Sequence, residues 1–136
     1  MANLAKLMDG VWKATESQDW GALEAVFTPA TEFRMPGQTL RGPHEFRAMC
    51  EAWWSAFPDL KHQIAAEMES GDDYSCELVM VGTHTGTMRT PKGDIPATGK
   101  RIQMLSCDYV KVKDGRIVSW HAYPDMMGML AQLGVA

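Results

Sequence analysis

The sequence has little from which a metal centre, a disulfide framework or a membrane span could be made. Its three cysteines, Cys50, Cys76 and Cys107, stand far apart. They form neither a metal-ligand spacing nor an even set for pairing, and a reduced, cytoplasmic protein is the simplest expectation. The four histidines, His44, His62, His84 and His121, show no close ligand spacing, so no metal site is expected. No apolar run approaches the ~20 residues that a helix needs to cross a bilayer. The N-terminal stretch carries acids and a helical period rather than the layout of a signal peptide. Basic residues are outnumbered 13 to 17 and form no stripe, which argues against a nucleic acid or an anionic membrane as partner. No internal repeat, linker or low-complexity segment is visible.

What is present suits one soluble domain. A chain of 136 residues, 46% hydrophobic and 22% charged, can bury one core and is too short for two, so a single domain over 1–136 is expected. Eleven methionines supply adaptable filler for a loosely specified core or an apolar pocket.

Helical periodicity comes first in the chain. Leu4, Leu7, Met8, Val11 and Trp12 predict a helix over 3–17. Asp19 is placed to cap a second over 20–27, which Pro29 ends. Thr31 to Met35 alternates like a strand, with 38–41 as its return. Gly42-Pro43 opens a third helix carrying Phe46, Met49, Cys50, Trp53, Trp54 and Phe57 up to Pro58. Strands follow over 60–69 and 74–88, with glycines at 82 and 86 that allow a bend, and then a Pro/Gly-rich loop over 89–98. Met126, Met129, Leu130 and Leu133 mark a last helix, with Asp125 as its cap.

The stretch from Gly99 to Asp125 reads as two long strands joined at Asp114-Gly115, a pair suited to the positive φ of a tight hairpin. Lys111 and Lys113 want water, so the opposite face, with Ile102, Met104, Ser106, Asp108, Val110 and Val112, should be covered. That buries a carboxylate at Asp108. Val118, Trp120 and Ala122 share a face of the second strand, and Trp120 is expected to line the same space as Asp108. The other face holds Leu105, Cys107 and Tyr109, too apolar for open water, so a homodimer is expected there.

Helices followed by long antiparallel strands imply an α+β domain in which a strongly bent, mainly antiparallel sheet wraps the N-terminal helices as a cone. Several segments carry a family resemblance: Trp54-x-x-Phe57-Pro58-Asp59, Gly82-Thr83-His84-Thr85-Gly86, Ala97-Thr98-Gly99-Lys100, Cys107-Asp108-Tyr109, Asp114-Gly115-Arg116-Ile117, and Asp125 with the tail 129–134. In these the chain resembles the SnoaL-like group of the nuclear transport factor two-like, or cystatin-like, superfamily. The resemblance implies the cone and a cavity for small molecules; it does not fix one reaction, since the superfamily holds polyketide cyclases, ketosteroid isomerases, epoxide hydrolases, dehydratases and binding proteins. Asp108 matches the position that in ketosteroid isomerases is the oxyanion-hole aspartic acid, kept neutral by an apolar site. The isomerase base falls near Met35, which cannot take a proton, and Val11 and Trp12 stand where its first-helix tyrosine would be. The last-strand acid of cyclases and limonene epoxide hydrolase matches Ala122.

The candidate catalytic residues are Asp108 and His84. Asp108 is either an acid with a chemical role or a structural acid paired with a buried donor. His84 is either a proton shuttle or a hydrogen-bonded edge histidine. Trp120, Trp54, Met104, Phe57 and Met35 are the expected substrate contacts, with core packing as the alternative for the aromatic ones. His44 and His62 read as surface residues, His121 as outward-facing, and Asp125 as a cap. The expected function is to bind a small apolar or aromatic molecule. If the protein is an enzyme, the expected chemistry is cofactor-free isomerisation, ring closure or dehydration of a polyketide-like or steroid-like carbonyl compound. A non-catalytic ligand-binding or dimerisation module is the alternative.

Overall fold

Asn3 opens the first helix in a computed structural model that describes residues 3–135; Met1, Ala2 and Ala136, at the ends of the expected domain, lie outside the described residues. The Asn3 side chain accepts the Lys6 N–H at 3.0 Å and caps α1 (Leu4–Ser17). Leu4, Met8, Val11 and Trp12 are its buried stripe. Asp19 caps α2 (Trp20–Val26) in the same way.

β1 (Phe27–Met35) follows at once and is longer than the expected 31–35. It tolerates Pro29 because its register with the neighbouring strand shifts between Phe27 and Glu32, so no ladder bond needs the missing N–H. β2 (Gln38–Arg41) returns to α3 (Gly42–Ala56). β3 (Lys61–Ser70) and β4 (Asp73–Thr83) form a hairpin. β5 (Met88–Thr90) and β6 (Gly93–Ile95) pair separately, making a small hairpin of the segment expected to be loop. β7 (Arg101–Lys113) and β8 (Arg116–Pro124) form the long hairpin, with φ of 52° at Asp114 and 76° at Gly115 in its turn. Asp125 caps α4 (Met126–Leu133), accepting the Gly128 N–H at 2.9 Å.

The main sheet runs β2-β1-β8-β7-β4-β3. Every pairing is antiparallel except β1 with β8. Register shifts at Ile64/Ala66 and Lys111/Val112 accompany its strong curvature. Its concave side holds the helices, α1 against β3 and β4 and α3 against β1 and β2. β7 alternates buried and exposed through all its residues, with the even-numbered ones, Ile102 to Val112, inside. Outside, Leu105 is 59% exposed and Tyr109 39%.

β4 stops at Thr83 rather than continuing to Met88. From there the chain turns towards the 99–100 segment: the His84 N–H donates to Lys100 O and the Gly99 N–H to His84 O, both at 2.8 Å. Gly86 then crosses the end of α3, donating its N–H to Ala56 O at 3.1 Å. A Cβ at Gly86 would overlap the Ser55 carbonyl oxygen, so only glycine allows this approach. Among the described residues no helix is long and apolar enough to cross a membrane.

Candidate active site

The alternation of β7 turns Met104, Ser106 and Asp108 towards the helices, and β8 turns Trp120 and Ala122 to the same side. In the ladder Asp108 stands directly opposite Ala122, and Val110 opposite Trp120. Asp108 is 5% exposed and receives two hydrogen bonds: Ser106 Oγ donates to Oδ1 at 2.7 Å, and Trp120 Nε1 donates to Oδ2 at 2.8 Å. Burial pushes its carboxyl above the ordinary aspartate range. The Ser106 and Trp120 hydrogen bonds, and the charge of a protonated His62, pull the other way without cancelling the rise. The site therefore favours a carboxylic acid that keeps its proton where an exposed aspartate would lose it.

Asp108 lines a cavity between α1, α3 and the sheet, with about 560 Å³ of empty space, part of it open to solvent. The walls are mostly apolar: Trp12, Phe33, Met35, Phe46, Met49, Trp53, Trp54, Met104 and Trp120. Trp120 stands edge-on to Trp12, with ring centroids 5.2 Å apart, and edge-on to Phe33 at 5.4 Å. The indole N–H of Trp12 is buried without an acceptor among the described residues.

Four of the five expected substrate contacts, Trp120, Trp54, Met104 and Met35, line this cavity together with Asp108. Phe57 does not. It is fully buried and packs against Trp53 and His84. His84 is also outside the cavity wall, which corrects its expected pairing with Asp108. Once β4 ends at Thr83, face parity no longer places its side chain. His84 is buried, accepts at Nδ1 from the Thr98 N–H at 3.2 Å, lies 3.0 Å from Thr98 Oγ1, and has no partner at Nε2 among the described residues. Burial lowers its basicity. His44 is exposed. His121 lies beside Glu32 at 3.6 Å, away from the cavity.

His62 is the second correction. Its side chain is only 6% exposed and lines the cavity. Glu16 of α1 holds it: Glu16 Oε2 accepts the His62 backbone N–H at 2.8 Å and lies 2.9 Å from Nδ1. Desolvation raises the Glu16 carboxyl, but the His62 hydrogen bonds and the charges of His62 and Lys61 outweigh it, so Glu16 is held below the ordinary glutamate range. The sequence carried a signal for both. Glu16 continues the stripe of Met8 and Trp12 at intervals of four, and His62 shares the parity of buried Leu60. Among the described residues no three His, Cys, Asp or Glu side chains gather to hold a metal ion.

The model of the SnoaL-like polyketide cyclase family matches residues 2–133. The chain belongs to that family. Aklanonic acid methyl ester cyclase DnrD of Streptomyces peucetius is 31% identical over 96 residues, which cover 70% of this chain and 63% of that protein. Its counterpart DauD of Streptomyces sp. strain C5 is 32% identical over 97 residues, covering 70% of this chain and 57% of DauD. The matches thus span less than two thirds of either relative's length. The crystal structure of wild-type IdmH from Streptomyces antibioticus superposes with a TM-score of 0.84 at 25% identity, covering 98% of this chain and 100% of IdmH.

Proposed function

We propose that the chain closes a ring in an aromatic polyketide ester by cofactor-free acid/base catalysis, with Asp108 as the acid. The observation that carries this reading is a buried carboxyl with a raised pKa, set by Ser106 and Trp120 in an otherwise apolar, aromatic-walled cavity. Trp120, Trp54, Met104 and Met35 hold the flat ring system, and Asp108 faces its carbonyl. An aldol-type closure delivers a proton to the oxygen of the carbonyl that is attacked. A neutral carboxylic acid already hydrogen-bonded in place does this without reorganisation. The similarity to two aklanonic acid methyl ester cyclases supports the substrate class. Ala122 leaves the acid to Asp108, its cross-strand neighbour.

The proposal extends to a two-fold assembly in the cytoplasm. Leu105, Tyr109 and Tyr123, with Met68 at the edge, leave an apolar outer sheet face exposed, and a second copy would cover it. The cysteines are all free, in keeping with a reducing compartment.

The test is ring closure of aklanonic acid methyl ester by the purified chain without added cofactor, followed by chromatography. Closure that falls about 100-fold in Asp108→Asn, with ligand binding retained, is the expected result. Binding with no closure in either protein would favour a non-catalytic ligand-binding module.

A further inference from the structure

Ring closure needs a second proton transfer, from carbon, and Asp108, which gives its proton to the carbonyl oxygen in the reading above, does not accept it in the same step. His62 lines the same cavity, and Glu16 of α1 holds its ring from behind the wall. Glu16 is an ionised carboxylate, fixed by the His62 backbone N–H at 2.8 Å and with Lys61 Nζ 3.8 Å from its other oxygen. A carboxylate only accepts hydrogen bonds, so His62 Nδ1 carries the hydrogen, and in the neutral form of the ring the lone pair is on Nε2. Among the described residues Nε2 makes no hydrogen bond, and unlike the Nε2 of His84 it is not sealed from access. The ring is clamped by Trp12, at 4.8 Å between centroids, and Trp54, at 5.9 Å.

We infer that His62 Nε2 is the base that takes the proton from the substrate carbon, and that Glu16 is the positioning residue that sets its tautomer. This rests on the ring-closure reading of the cavity. In the step, the C–H electron pair becomes an enolate and its carbon forms the new C–C bond at the second carbonyl. The π pair of that carbonyl moves onto its oxygen, which takes the Asp108 proton. His62 is left as imidazolium and Asp108 as carboxylate. Return of one proton from Nε2 to the carboxylate restores both, so no further reactant is consumed. The pair that forms is mutually stabilising, because a charge on His62 reaches Asp108.

The experiment uses the full chain in D₂O with 2-tetralone, a flat bicyclic ketone, and reads deuterium at its α-carbon by NMR, with kcat and KM separated. His62→Gln retains a donor for Glu16 but cannot take a proton. Its kcat should fall about 100-fold with KM nearly unchanged. Glu16→Gln should lower kcat at least about tenfold, because the tautomer is no longer fixed. Free imidazole should restore part of the rate in His62→Ala, which a purely structural histidine would not show. His121→Gln, away from the cavity, should exchange like the wild type. Exchange lost in Asp108→Asn but unchanged in His62→Gln overturns the assignment of His62 and leaves that of Asp108 standing. Equal exchange in all variants, or none in the wild type, overturns both. Should His62→Gln fail to fold, unchanged kcat in Glu16→Gln overturns the inference.

Discussion

Trp120 donates its indole N–H to Asp108 across the joint of two neighbouring strands, 2.8 Å from Nε1 to Oδ2. One residue thus sets the acid and also builds the wall a flat ligand would touch, since the same ring packs against Trp12, Phe33 and Phe46. A buried indole usually finds an acceptor and a buried carboxyl needs donors, so each satisfies the other.

Trp120→Phe keeps most of the volume and removes one donor. Asp108 should then rise further above the ordinary aspartate range, and stability should fall by about 1–3 kcal/mol. An NMR titration of Asp108 and urea unfolding read the two effects. An Asp108 pKa that stays put or falls would mean that the hydrogen bond does not form.

The pH dependence of Asp108 has a definite sign. Its folded pKa lies above the unfolded value, so the folded state binds the proton more tightly. The stabilisation is full below the unfolded value of about 3.9 and is lost as pH rises through the folded one. Asp108→Asn should therefore lose less stability than the wild type over that rise, measured as Tm against pH.

Glu16 behaves oppositely. Its folded pKa is lowered, so its stabilisation is present above the unfolded value and lost as pH falls through the folded one. Glu16→Gln should cost about 1–3 kcal/mol at neutral pH, by weakening the acceptor for two His62 donors. The difference from wild type should shrink in acid. A difference constant with pH would show that Glu16 is not held as a carboxylate.

On the outer face, Leu105→Lys places a charge at the centre of the exposed apolar stripe. A two-fold contact of at least ~1,000 Å² should give a dimer in the wild type and a monomer in the variant by light scattering. A monomeric wild type at micromolar concentration rejects the assembly.

The features legible in the sequence are those fixed locally. Alternation along β7 gave the side on which Asp108 lies, Asp114-Gly115 gave the hairpin, and Asp19 and Asp125 gave helix starts. The parallel pairing of β1 with β8 was not legible, because it joins opposite ends of the chain. His84 was misplaced because glycines at 82 and 86 signal a bend without saying that the chain leaves the sheet at Thr83. Glu16 and His62 are 46 residues apart in sequence. Each reads as a polar residue on its own element, and the signals they carry, the stripe of Met8 and Trp12 for Glu16 and the parity of Leu60 for His62, do not say that the two meet. Their pairing emerges only once α1 packs on β3.

Asp108 as the acid of the cavity is tested most directly by a crystal structure of the chain with a bound aromatic polyketide methyl ester. Acid catalysis there requires a ligand carbonyl oxygen within hydrogen-bond reach of the Asp108 carboxyl, about 2.5–3.0 Å, with the fused rings against Trp120 and Trp54. A ligand seated in the outer groove by Leu105, Cys107 and Tyr123, or one in the cavity with every carbonyl turned away from Asp108, would contradict it.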